Sequence, residues 1–552
     1  MIGIISSEAH VSAVREFFEL FKTPWEFWRE GVTYDVVIAS STDIPEHLIT
    51  NALVIYSAER SGMDETETTS IEARVSGNWI EWDGGDCPVY GKLLVFRGDG
   101  EPIVTRHQST SMVGMRLANE GRPTVRIGFD LFYEVYFLLS QGQPSENAQT
   151  PAMDRQIALL RELLLGLGTP LVEVLPAPNG YEFVACLTHD VDFVGIRDHW
   201  FDHTMFGFLF RCFVGSLQDV LRGRLSWKKC LRNWAAGLSL PLVLINVVDD
   251  FWLEFDRYRE MEKGLGSTFY FIPFPNTPGL LESTPAPARR AAKYDLTQIR
   301  GQVQELVDHD CEVGLHGIDA WHDQQKGKTE SSRIREFTGE SQLGIRMHWL
   351  YWGKESATVL DASGFDYDST SGFNNAVGFR AGTTQVFRPL GVKHLLELPL
   401  NIQDSALFYP DRMNLSERDA LDTCKNVIRS VLSGRGALTL NWHTRSLSPE
   451  RLWGEFYATL LNELHTHRVW FGTAHQIVEW FRYRRKVSFS SAESDETAID
   501  LAISDSADTS GHSFAVRFYH PRTDDSSPSR CYTDVEWNGQ ERFSIPYSQL
   551  AS

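Results

Sequence analysis

Two carboxylates and an imidazole follow directly on a short apolar run: Phe183 to Leu187 leads into Thr188-His189-Asp190-Val191-Asp192. An apolar run of this length reads as a buried strand, so the acids fall at its C-terminal end, where α/β barrels assemble active sites. Three further runs end the same way. Cys311 to Leu315 leads into His316-Gly317-Ile318-Asp319-Ala320-Trp321-His322, Gly344 to Met347 carries Arg346 and is followed by His348, and Ala437 to Leu440 leads into Asn441-Trp442-His443. Asp, His, Arg and His converging on one rim is the donor set of a divalent-metal hydrolase. A single Asp-x-Asp after a strand is most often a turn or a helix cap, so its weight comes from the other three strand ends.

The elements that must position these residues alternate in type. Strand candidates at Phe183 to Leu187, Thr268 to Ile272, Cys311 to Leu315, Gly344 to Met347, Leu395 to Leu400, Ala437 to Leu440 and Val469 to Thr473 are separated by helical stretches. Seven such strands predict a parallel α/β barrel over 176–486, with a long insertion after its first strand. Before it, apolar runs at Ile2 to Ser6, Tyr34 to Ser40 and Leu53 to Tyr56 predict a small open α/β domain over 1–175, with helices near Ala9 to Leu20 and Glu46 to Ala52. Its first strand turn, Ser6-Ser7-Glu8-Ala9-His10, lacks the glycines that admit a pyrophosphate. After Lys486 the composition turns to Ser, Asp and Thr with alternating runs, predicting a short antiparallel β module over 487–552.

Composition bounds the function. Of 552 residues, 42% are hydrophobic and 23% charged, ample for several cores, while 73 Asp and Glu against 52 Lys and Arg leave a formal charge of -21. That charge disfavours a grip on phosphate backbones, and nucleic acid is not expected as a partner. Seven scattered cysteines without CxxC pairs, and an N-terminus without a signal-peptide pattern, predict a reduced, cytoplasmic protein. The apolar stretch Ala235 to Val248 is short and ends in Asp249 and Asp250, and Met205 to Val214 is interrupted by Arg211, so no membrane span is expected. Peripheral contact with anionic headgroups through Trp480 to Lys486 stays open beside its reading as a basic helix end. No GxSxG elbow, HExxH helix or P-loop occurs.

The strand and motif order over about 183 to 480 resembles the polysaccharide deacetylases, the NodB-like carbohydrate esterases. The resemblance implies a distorted (β/α)7 barrel and a metal-dependent hydrolase that removes N-acetyl groups from an amino sugar. The family's opening Thr-Phe-Asp-Asp-Gly corresponds to Thr188-His189-Asp190-Val191-Asp192 with one residue inserted, which implies Asp190 as general base and Asp192 as metal ligand. Its His-Ser/Thr-x-x-His corresponds to His316 through Ala320, implying His316 as a ligand, but alanine stands where the second histidine belongs. Its Arg-x-Pro-Tyr-Gly corresponds to Arg346-Met347-His348-Trp349, implying that Arg346 steadies Asp190 and that the Trp349 amide faces the oxyanion. The closing motif corresponds to Leu440-Asn441-Trp442-His443, with His443 as general acid and Asp404 as the carboxylate that orients it. The runs from Gly344, from Gly364 and from Gly378 resemble a large-chain subgroup associated with bacterial surface-polysaccharide synthesis.

Because Ala320 cannot bind an ion, the shell must recruit another nitrogen. His322 is expected to complete it, from the same strand end as His316, with His348 as the competitor. The ion is expected to be divalent, Zn before others. Arg380, in Gly378-Phe379-Arg380-Ala381-Gly382-Thr383, and Trp442 are candidates for binding substrate, while His189, His465 and His467 read as structural. The substrate is expected to be an N-acetylated glycan, or a lipid-linked or nucleotide-linked sugar. Two alternatives stand: a catalytically silent glycan-binding scaffold, motivated by the missing histidine, and an amidase for a small amide.

Overall fold

The computed structural model describes residues 1–552 apart from 62–63, 65–68, 99, 118–120, 170, 224, 282–283, 492–497, 504–510, 520–531, 540–542 and 547–552. It divides into two units, the first made of Met1–Gly180, Phe379–Leu390 and Glu479–Ser552, the second of Tyr181–Gly378 and Gly391–Val478. Cys87, Cys186, Cys212, Cys230, Cys311 and Cys424 are free thiols, and Cys531 lies outside the described residues.

The second unit is built on one parallel sheet, a half-barrel. In spatial order its strands are Leu396–Glu397, Tyr367–Asp368, Gly344–Met347, Glu312–Gly317, Ser267–Phe271, Phe183–Val191, Ala437–Asn441 and Ile402–Gln403, and Val469–Phe471 also pairs with Phe183–Val191. Each of the seven expected strands has a counterpart, Leu395 to Leu400 shortened to Leu396–Glu397 and Val469 to Thr473 to Val469–Phe471, and two further two-residue strands, Tyr367–Asp368 and Ile402–Gln403, join them. Pieces that short carry no readable periodicity. Phe183–Val191, Ser267–Phe271 and Ala437–Asn441 are buried along their whole length, which is why they read as continuous apolar runs rather than alternating ones. The register sets Thr188 beside Asn441 and His316 beside Arg346.

Helices return the chain between strands, and local chemistry delimits them. Gln324–Thr338 starts at Asp323, whose carboxylate accepts from the N–H groups of Gln325 and Lys326, and stops at Gly339 in the left-handed conformation (φ 74°). Glu417–Gly434 starts at Ser416, which accepts from Asp419 N–H.

The first unit carries a mixed nine-stranded sheet. Trp25–Phe27, Ile2–Ile5, Tyr34–Ala39, Thr50–Tyr56 and Thr124–Ile127 run parallel, and Met112–Leu117, Gly85–Gly98, Thr69–Trp82 and Glu101–Arg106 continue antiparallel. The helix expected near Glu46 to Ala52 is replaced by turn and by the strand Thr50–Tyr56, whose Val54 and Ile55 favour extended backbone. The helix Val11–Phe21 lies where Ala9 to Leu20 predicts one.

Two boundaries differ from expectation. The tail is not separate: Phe514–Tyr519 pairs antiparallel with Leu171–Pro178, a strand buried at every position that spans the expected boundary at 175. Its backbone groups need partners, and the tail supplies them. The segment Phe379–Leu390, inserted in the half-barrel's sequence, also folds with the first unit. There Asp154 accepts from Thr383 Oγ1 and Thr384 N–H, and Met153 N–H donates to Gly382 O at 2.7 Å. Arg380 belongs to this segment, donating to Gln141 O while its own carbonyl accepts from Gln143 N–H, so it ties the first unit's loops.

Truncation after Lys486 removes the partner of Leu171–Pro178 together with buried Phe514, Val516 and Phe518. At about 1.5–3 kcal/mol per buried side chain, the first unit is expected to lose roughly 5 kcal/mol, read as an earlier first transition in urea.

Candidate metal centre

Thr188, Asp190 and Asp192 alternate with His189 and Val191 along the strand end, so the two acids share a face. Asp190 is buried and held from two sides: Oδ1 accepts from Arg346 Nη1 at 3.1 Å and Oδ2 from Asn441 Nδ2 at 2.8 Å. Arg346, itself fully buried, also donates from Nη1 to Thr188 Oγ1 at 2.6 Å, from Nη2 to Ser369 Oγ at 2.8 Å and from Nε to Ser369 O at 3.0 Å. Burial works against the Asp190 carboxylate, but His316, Arg346 and His443 outweigh it and hold its pKa below the ordinary value.

Beside this pair, three acceptor atoms converge. Asp192 Oδ1 is 3.3 Å from His316 Nε2 and 3.2 Å from His348 Nδ1, and the two nitrogens are 3.0 Å apart. The far nitrogen of each ring faces a carbonyl: His316 Nδ1 donates to Arg346 O at 2.9 Å and His348 Nε2 to Arg290 O at 3.0 Å. In the neutral imidazoles both facing nitrogens are therefore bare lone pairs. Among the described residues, no hydrogen-bond donor reaches the buried Asp192 Oδ1. Two lone pairs and an orphaned carboxylate oxygen in contact repel one another unless a cation lies among them. Ligands about 2.0–2.1 Å from a tetrahedral ion stand roughly 3.3 Å apart, close to the spacing here, so the residues fit a divalent metal.

His443 closes the fourth side. Its Nδ1 pairs with Asp404 Oδ1 at 2.6 Å, its backbone N–H donates to Asp404 Oδ2 at 2.8 Å, and its Nε2 points inward, 3.8 Å from Asp192 Oδ2. Ser446 Oγ also donates to Asp404 Oδ2. Burial disfavours the imidazolium, yet Asp404, with Asp192 and Asp190 behind it, pushes the His443 pKa up to about 10.

The structure thus brings together Asp190, Asp192, His316, Arg346, His443 and Asp404. It does not bring His322 to the cluster. That ring sits in the turn after the strand with Nε2 facing Asp319 Oδ1 at 3.4 Å, and His348 takes the place expected for it. The reason is register: Arg346 lies beside His316, and His348, two residues on, projects to the same side. Trp442 is corrected as well. It is fully buried, stacked on Phe456 and Tyr457 at 5.9 and 5.1 Å, because it alternates with Asn441 and His443 and faces away from the site. His189 faces the same interior, its Nδ1 on Trp442 O and its Nε2 on Glu262. Trp349 and Leu350 both have positive φ (63° and 53°), so the chain reverses sharply right after His348. Sequence reasoning missed Asn441, Ser369 and the carbonyl of Arg290. Asn441 had a local signal, two residues before His443 on the same face.

No family model matches the chain, and no curated protein matches it. Among solved structures it is similar to a protein from Mycobacterium smegmatis assigned as a polysaccharide deacetylase, with 17% identity, TM-score 0.35 and coverage of 56% of this chain and 95% of that one. It is similar to an allantoinase at 13% identity and TM-score 0.33, over 55% and 92%. It is also similar to a Pseudomonas aeruginosa PAO1 protein assigned as a polysaccharide deacetylase, at 12% and 0.33, over 55% and 91%.

Replacing His316 or His348 by Ala is expected to weaken zinc binding about a hundredfold or more, whereas His322→Ala leaves it within about twofold, as measured by competition with a chromogenic chelator.

Proposed function

We propose that the protein is a metal-dependent N-deacetylase acting on an amino sugar of a polysaccharide or its precursor. The single observation that carries this reading is the bare acceptor triad of Asp192, His316 and His348, flanked by an oriented carboxylate and an oriented imidazolium. The motif order along the half-barrel, with its resemblance to the polysaccharide deacetylases, supports the choice of an acetamide.

Two nitrogens and one carboxylate oxygen suit Zn²⁺. Asp192, His316 and His348 would hold the ion, which would supply polarisation of the acetamide carbonyl and a water pKa lowered toward about 7. Asp190 is the base that takes the proton of the attacking water. Arg346 and Asn441 keep one lone pair of each Asp190 oxygen engaged, which leaves the carboxylate ionised and fixed in direction. His443 gives its Nε2 proton to the departing amine, a leaving group too poor to leave unprotonated, and Asp404 keeps that ring protonated and aimed. A cleft of about 490 Å³, whose lining includes Phe193, the residue that follows Asp192, with His203, Pro287, Ala288, Arg289 and Lys293, is the candidate for receiving the sugar. Arg289 lies 5.6 Å over the Trp349 ring, and these groups replace Arg380 and Trp442 as the candidates for sugar contact.

The test is acetate release from a panel of N-acetylated glycans, lipid-linked sugars and sugar nucleotides by the zinc-loaded protein. Asp190→Asn is expected to retain zinc and lose about 10²–10⁴ in kcat. Asp192→Asn is expected to lose the metal. Retained zinc without acetate release from any member of the panel would favour the scaffold reading.

A further inference from the structure

Of the 21 large hydrophobic side chains exposed among the described residues, 14 lie between Trp200 and Leu253. This is the helical insertion that leaves the half-barrel directly after Asp192. Its first arm comprises His203–Phe210, the π turn Arg211–Gly215 and Ser216–Leu221, and its second arm is Trp227–Leu244. The arms share a small core of Met205, Phe208, Cys212, Ala236, Leu240 and Val243. The foot is pinned by Asp250, whose carboxylate accepts from the N–H groups of Ile196 and Arg197, while the Arg197 guanidinium donates to Val243 O and Val248 O.

Each arm has a second apolar stripe that none of the described residues covers. At about 100° per residue, Phe206, Phe210, Val214 and Leu221 fall within roughly 80° of arc, opposite the buried Met205, Phe208 and Cys212. Trp227, Leu231, Leu238, Leu242 and Ile245 fall within about 60°, opposite Ala236, Leu240 and Val243. Leu221 is 76% exposed and Leu238 74%. Stripes this ordered are not scattered surface residues.

Charge identifies what covers them. Over the same stretch, residues 200 to 253, stand six Lys and Arg and four Asp, two of the acids being Asp249 and Asp250 at the foot, in a chain whose acids otherwise outnumber its bases. Arg222 and Lys228 are exposed around the bend between the arms, while Lys229 and Arg232 turn back to Glu417 and Glu455. A second copy docking by the same patch would set basic against basic. An anionic bilayer meets both features, taking the apolar stripes below its headgroups and the cations among them.

We propose that the helical hairpin 200–248 docks this protein on an anionic phospholipid surface, lying in the interface. The run His203–Leu221 is apolar and long enough to cross a bilayer by length and composition. One of its faces is committed to the second arm and Arg211 interrupts it, so only its outer stripe is left for lipid. Docking there holds the Asp192 strand end near the membrane whatever reaction the site performs, so the proposal stands apart from the deacetylase reading.

The test is cosedimentation of the full chain with phosphatidylcholine vesicles made with and without phosphatidylglycerol. Binding to the phosphatidylglycerol vesicles is expected, weakened by salt. Leu231→Glu with Leu238→Glu is expected to cut it about tenfold or more with an unchanged melting curve, and Arg222→Glu with Lys228→Glu to remove the preference for phosphatidylglycerol. Wild-type protein that ignores both vesicles, or that binds equally well with Leu231 and Leu238 replaced, overturns the proposal. So does a wild-type dimer that these substitutions dissolve in the absence of vesicle binding, which would assign the patch to a second copy.

Discussion

The Arg346 guanidinium is the contact on which the second unit depends. It leaves the strand Gly344–Met347 and reaches Thr188 and Asp190 on Phe183–Val191, yet two strands, Glu312–Gly317 and Ser267–Phe271, separate them in the sheet. At about 4.8 Å per strand a flat sheet would hold them far beyond the reach of one side chain. The contact exists because the sheet curls, and a fully buried cation tolerates that position only because Asp190, Thr188 and Ser369 satisfy it. Curvature of the sheet and orientation of Asp190 are one physical fact.

Around that pair the charges balance unevenly. Arg346 answers Asp190 at 3.1 Å, and His443 answers Asp404 through a short hydrogen bond of 2.6 Å. Asp192 Oδ1 has no such donor among the described residues, and the two imidazole nitrogens turned toward it are committed to being acceptors by carbonyls on their far sides. The outer partners, Arg346 O and Arg290 O, therefore set the character of the site as firmly as the atoms that line it. The interior is arranged for one more positive charge.

The strand end that closes with Asp192 also launches the longest insertion of the half-barrel. Asp250 clamps the two ends of that insertion at Ile196 and Arg197. Trp252 lies under the Arg445 guanidinium, 4.0 Å away, and packs against Phe193. The hairpin's foot is thus rigidly joined to the backbone that carries the site.

The sequence alone determined the parallel α/β architecture and the strand ends on which Asp190, Asp192, His316, Arg346 and His443 stand, because apolar runs and the residues that follow them are local features. Its period of two also contained more than a reading by motif extracts: His189 and Trp442 face away from the residues on either side of them and belong to the interior. Only the tertiary structure decided that His348 rather than His322 joins Asp192 and His316. That choice turns on which neighbouring strand lies beside His316 and in what register, a relation between residues about thirty apart that no local pattern encodes. The same reason applies to the tail and to Phe379–Leu390, which join a distant unit. Their partners, Leu171–Pro178 and Asp154, are fixed by non-local burial and hydrogen bonding, not by neighbours in the chain.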